Sequence, residues 1–206
     1  MSDLLRIVLS VAGAATLCAV LLGLPLALLL GRLSFRGKSL LQALIAVPLV
    51  FPATLLGYYA VVLSRQGYFR PLLARLHVVP AFDWKLALFT AGLGALAIFV
   101  RVAQTDFARV DRRLEQAART LGRSDLSVIW AVTLPLGWRG VVAGTMLAFC
   151  RAGGEFALTL LVARTVPGGY GFSPIPRDGV AQLGVVMLCS VLVFSLVASR
   201  LTRAVG

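Results

Sequence analysis

"RVDRRLEQAARTLGRSDLSVIWAVTLPLGWRG", residues 109–140, gathers six arginines with Asp111, Glu115 and Asp125 inside a chain that is 59% hydrophobic. A charged interior segment flanked by apolar ones reads as a connection held in water while its neighbours sit in lipid. The rest of the composition agrees. Of 206 residues only 14% are charged, against about 25% in soluble domains, and the mean hydropathy is +0.92. An ordinary soluble domain is excluded, and apolar segments spread from end to end imply one membrane-embedded unit over 1–206.

Five stretches approach the roughly 20 apolar residues that a crossing helix needs. Residues 7–30 and 39–64 carry no charge, 140–163 carries Arg151 and Glu155, and 180–199 is again uncharged. The apolar centre at 86–100 is short and borrows its flanks to become 84–102, which leaves a connection over 103–139. Backbone groups in lipid must be satisfied within each segment, so the fold class is an all-α integral membrane protein with about five transmembrane helices. The first apolar run exceeds the h-region of a cleaved signal and is expected to stay as a membrane helix. Placing 31–38, the 103–139 loop with Arg101 at its edge, and the C-terminus inside puts twelve Lys and Arg there against seven outside, an N-out, C-in arrangement.

Net charge +12 would point to nucleic acid in a soluble protein; here the cations flank spans, and no nucleic-acid partner is expected. Cys18, Cys150 and Cys189 are far apart within apolar runs, and His77 is the lone histidine. No metal site or cofactor is expected, and the cysteines read as buried small hydrophobes. Neither a Gly-rich phosphate loop nor a nucleophile–base set is present. A non-transport membrane enzyme remains as an alternative, resting on Arg65, His77, Asp83 and Lys85 near one interface.

Within the loop, "FARVDRRLEQAARTL" (107–121) spaces Phe107, Val110, Leu114, Ala117, Ala118 and Leu121 to share a helical face. Gly122 follows where a helix would stop, Ser124 or Asp125 can cap another, and Pro135 ends or kinks it. Two readings stay open on pattern alone: a helix lying on lipid headgroups, or a docking element for a soluble partner.

The segment resembles the cytoplasmic loop of ATP-binding-cassette importer permeases, with its pattern EAA-x3-G-x9-I-x-LP. Here it runs Gln116-Ala117-Ala118, Gly122, then Val132-Thr133-Leu134-Pro135, with Gln116 for Glu (Glu115 just before it) and Val132 for Ile. The stretches at 32–63, 110–122 and 147–163 resemble the permeases of molybdate or tungstate importers. That resemblance implies a type I, MetI-like bundle in the bacterial inner membrane, crossing it several times. It also implies a pair of permease copies, two copies of a separate ABC ATPase, and an external molybdate-binding protein. ATPase coupling would fall to Glu115, Gln116, Ala117, Ala118, Gly122, Val132, Leu134 and Pro135, with Glu115, Arg119 and Arg123 fixing register at the rim. Tungstate or sulfate are alternative cargoes. The family's outer loop is departed from at "RTVPGGYGFSPIPRDGVAQLG", residues 164–184, which bears on the docking of the binding protein.

An oxyanion path needs polar or positive groups at depth without a trap. Pro48 and Pro52 leave the carbonyls of Leu44 and Pro48 without their helical donors, either as a plain kink or as a broken helix beside the path. Arg151 and Glu155 lie one turn apart on one face, where ionised groups normally turn inward with a partner. Arg151 is expected to be braced by Glu155 and a carbonyl freed near Pro48, with substrate contact as the other reading. Thr54, Tyr58 and Thr159 are further candidate donors, although such hydroxyls often bond only to a neighbouring helix.

Overall fold

The computed structural model describes residues 2–50 and 84–165, with five further positions between 185 and 196. Among the described residues every element is helical. Helix α1 spans Ser2–Arg32, α2 Lys38–Val50, α3 Trp84–Arg109, α4 Arg112–Thr120 and α5 Asp125–Val128. A π-helical turn, Ile129–Thr133, leads into the short α6, Leu134–Leu136, and the long α7, Trp138–Thr165.

Among the described residues two helices are long and apolar enough to cross a membrane, through Val8–Arg32 and Leu88–Arg109. A third crossing arises if Asp125–Leu136 and Trp138–Glu155, bent by 69° at their junction, count as one span. The expected segments 7–30, 84–102 and 140–163 thus fall on α1, α3 and α7, and 39–64 is seen for its first turns as α2. Pro52, Thr54, Tyr58, the outer loop and the body of the expected last span lie outside the described residues.

α1, α3 and α7 pack against one another, and α2 leans on α3. Their shared core is rich in alanine: Ala12, Ala15, Ala19 and Ala27 of α1 face Ala91, Ala95 and Ala103 of α3 and Ala148 and Ala152 of α7. Lipid is as apolar as a leucine, so helices associate where small side chains let backbones come close. Two phenylalanines of α3 fill the notches so made. A Cβ added to Gly23 would lie 2.6 Å from Phe99 Cδ1, and one on Gly144, from the other side, 3.1 Å from Phe99 Cδ2. One full packing repeat along, Phe107 is enclosed by Gly31 and Gly137. Both rings are fully buried.

Three expectations are corrected here. Helix α3 does not stop near residue 102 but continues to Arg109, because Ala103 and Phe107 keep its inner face apolar while Arg101 and Thr105 face out. The 107–121 stretch is not one helix with one apolar face: Phe107 and Val110 are buried, whereas Leu114 is 50% and Leu121 84% exposed. Its break is fixed by Asp111, whose side chain accepts the Arg113 N–H at 2.9 Å and starts α4 anew. Of the cysteines, Cys150 is buried but Cys18 and Cys189 are exposed, since an apolar span presents small residues to lipid as readily as to its core.

Candidate functional site

The loop between α3 and α7 forms the first part of the site. Helix α4 presents two faces. Glu115 and Ala118 are buried against the bundle, while Leu114, Gln116, Ala117 and Leu121 are exposed. The chain then turns at Gly122, with φ +83°, where the Gly122 N–H reaches Arg119 O at 2.9 Å and the Arg123 N–H reaches Ala118 O at 3.2 Å. These are the paired bonds of a Schellman ending, whose left-handed residue favours glycine. An added Cβ at Gly122 meets nothing within 4 Å. Backbone conformation within the chain, rather than crowding, explains the glycine.

Ser124 caps α5 by accepting the Ser127 N–H. Arg119 pairs with Asp125 at 2.8 Å and Arg123 donates to Ser127 Oγ at 3.3 Å, both exposed and both within the loop. Leu126 and Trp130 are 71% and 66% exposed, so an apolar surface extends beyond α4. Pro135 has no N–H to give Ala131 O, and its ring crowds that carbonyl. The ladder widens to a π turn just ahead of it, with the Leu134 N–H reaching Ile129 O. The sharp bend follows at Gly137, against which Phe107 packs. Val132 and Leu134 are half-buried and Pro135 is exposed.

Glu115 is a correction. Expected at the rim, it faces inward, where its carboxylate forms an ion pair with Arg32 and accepts the hydroxyl of fully buried Thr133. Sequence reading missed Arg32 and Thr133. Sequence alone marks Arg32 as the cation that closes the first span, after 25 uncharged residues, and says nothing of its partner 83 residues away. Gln116, in the register of the family's Glu, is the exposed one.

The second part lies inside the bundle. Arg151 Nη2 is 2.6 Å from Glu155 Oε1 and donates to Pro48 O at 3.4 Å, bridging α7 to α2. The Glu155 side chain is 4% exposed and that of Arg151 31%. Gly94 of α3 gives the guanidinium room, for a Cβ there would lie 3.3 Å from Arg151 Nε. In sequence, the residue four positions on from Pro48 is a proline and has no N–H to offer that carbonyl. Thr159 lies in α7, but its side chain is outside the description. Among the described residues no group of His, Cys, Asp or Glu could hold a metal ion.

The chain matches known proteins over nearly its whole length. Residues 23–206 match the family of binding-protein-dependent transport system inner membrane components. The chain belongs to that family. It is therefore a membrane transport subunit and not an enzyme. It is 33% identical over 207 residues to the molybdenum transport system permease protein ModB of Escherichia coli (strain K12), covering 95% of this chain and 90% of that one. With the protein of the same name from Haemophilus influenzae it shares 37% identity over 162 residues, 78% of this chain and 71% of that one. In fold it is similar to a chain of the inward-facing MetNI methionine ABC transporter. The TM-score is 0.70 at 17% identity, covering 100% of this chain and 97% of that one.

Proposed function

We propose that this chain is the permease of an ATP-driven importer for molybdate. It would work as a pair of copies in the bacterial inner membrane, with two ATPase subunits below and an external binding protein above. The observation that carries the reading is the exposed apolar face of α4 and α5, set on the family's loop pattern in a chain one-third identical to molybdenum permeases over almost its whole length. Leu114, Ala117, Leu121, Leu126 and Trp130 leave a surface that water does not favour. Small Ala117 and the tight turn at Gly122 let a partner's cleft close around it. Glu115, Ala118 and Val132 hold the knuckle from within, and Gln116 and Pro135 face the partner.

Force at this knuckle reaches α7 across the 69° bend. Arg151 then sits where an anion must pass, with its charge partly balanced by Glu155. It lowers the barrier for a dianion without becoming a trap. Its bond to Pro48 O braces α2, so its first task is to hold the wall of the path.

The test is uptake of labelled molybdate by vesicles containing the permease, the ATPase and the binding protein, with tungstate and sulfate as competitors. ATP-dependent uptake blocked by tungstate and spared by sulfate is expected; sulfate as the better competitor would move the assignment to sulfate. A cysteine introduced at Ala117 should resist impermeant reagents in intact cells, and ready labelling there would reverse the orientation.

A further inference from the structure

The joint at the root of the loop is built more heavily than a surface helix needs. Arg32 closes α1, yet its side chain is only 11% exposed. Nη1 donates to Phe107 O at 2.9 Å and Val110 O at 2.8 Å, where α3 ends and Phe107 O also takes the Val110 N–H at 3.3 Å. Nη2 meets the Glu115 carboxylate, which also takes the Thr133 hydroxyl. The backbone of Arg32 in turn accepts Arg112 Nη2 at 3.3 Å. One guanidinium thus ties the ends of α1 and α3 to α4 and to the π turn ahead of Pro135. Beside it, an open groove of about 540 Å³ runs between Leu24, Leu28 and Leu29 of α1 and Leu126, Ile129 and Trp130. On that side the loop is tied to α1 by polar bonds more than by packed side chains.

We propose that Arg32, Glu115 and Thr133 are the positioning residues that pass displacement of α4 into α1, α3 and the bend before α7. Glu115 serves this joint instead of touching the ATPase. The inference rests on the reading above that α4 and α5 meet an ATPase. A loop held only by its outer bonds, Arg119–Asp125 and Arg123–Ser127, would yield when pushed. A carboxylate shared by a guanidinium and a buried hydroxyl resists, because moving it strands an ion where water is scarce. Coupling through such a joint cannot exceed what the joint holds.

Two variants test this in vesicles where molybdate uptake and ATP hydrolysis are read together. Glu115→Gln keeps the shape and removes the charge; Thr133→Val keeps the shape and removes the donor. Hydrolysis should persist while molybdate carried per ATP falls by about tenfold, the factor of one charge-assisted bond. Uptake and hydrolysis falling together with the amount of folded complex would reduce the joint to a structural brace and overturn the proposal, as would unchanged uptake per ATP. A second measurement needs neither cargo nor ATPase. Spin labels at Leu22 and Ala117, in a background lacking Cys18, Cys150 and Cys189, should give a narrow distance distribution in the parent and a broad one in both variants. Equal widths overturn the joint even where molybdate uptake by the parent is seen; a parent with the narrow distribution but no uptake overturns the cargo assignment alone.

Discussion

The glycine notches of α1 make a prediction whose size follows from the packing. A methyl group at residue 23 would stand 2.6 Å from Phe99 Cδ1 and 3.2 Å from Leu96 Cδ1. Carbon atoms in contact prefer about 3.5–4.0 Å, so Gly23→Ala is short by about 0.9 Å. The ring cannot retreat, since Gly144 already brings α7 close to its other edge. Helices α1 and α3 must then part, and overpacking of this kind costs about 1–3 kcal/mol. Phe99→Leu alone leaves a void and costs about 1–2 kcal/mol. Together the two changes relieve each other, because the shorter side chain vacates the space the methyl group needs. The double variant should be more stable than the sum of the single losses by at least about 0.5 kcal/mol. The assay is thermal unfolding of purified protein in detergent, followed by the loss of its monodisperse elution peak. Additive losses, or a Gly23→Ala protein as stable as the parent, would refute the interlocked packing.

Two further outcomes follow from the sites. Gly122→Ala must hold φ +83° against its own Cβ and should weaken the end of α4 by about 1 kcal/mol. Gly122→Asn should lose about half as much; amide exchange at 118–123 reads the difference, and equal protection in both would contradict the left-handed ending. Arg151→Met takes the counter-cation from the buried Glu155 carboxylate and should reduce the yield of folded protein, whereas Arg151→Met with Glu155→Leu should recover yield but not uptake. Full uptake by that double variant would remove the pair from the path.

Much of this architecture was legible because lipid simplifies the rules. Charge-free runs mark α1 and the start of α2, and the spacing of Arg151 and Glu155 puts them on one face of one helix. A proline at 52 has no N–H to offer the Pro48 carbonyl, which made that carbonyl a candidate acceptor for Arg151 on chemistry alone. The inward turn of Glu115 could not. It depends on α4 starting afresh at Asp111, and on Arg32 occupying the carbonyls that a continuous helix would have bonded. That partnership joins residues 83 positions apart, and no local periodicity reports it. The exposure of Cys18 was hidden for a different reason: on a membrane helix the face toward lipid and the face toward the core are both apolar. The small residues of the knuckle show the converse limit, for Ala118 turned out to pack inward and Ala117 outward on one short helix.

The claim that matters most is that the α4–α5 knuckle receives the ATPase, and a bulky residue on its outer face tests it with little effect on the fold. Ala117 is exposed and in the middle of α4, so Ala117→Trp should leave the permease folded and monodisperse in the membrane. Measured by co-purification from co-expressing cells, the variant should lose the ATPase that the parent retains. An Ala117→Trp permease that still brings down the ATPase as fully as the parent would contradict the account.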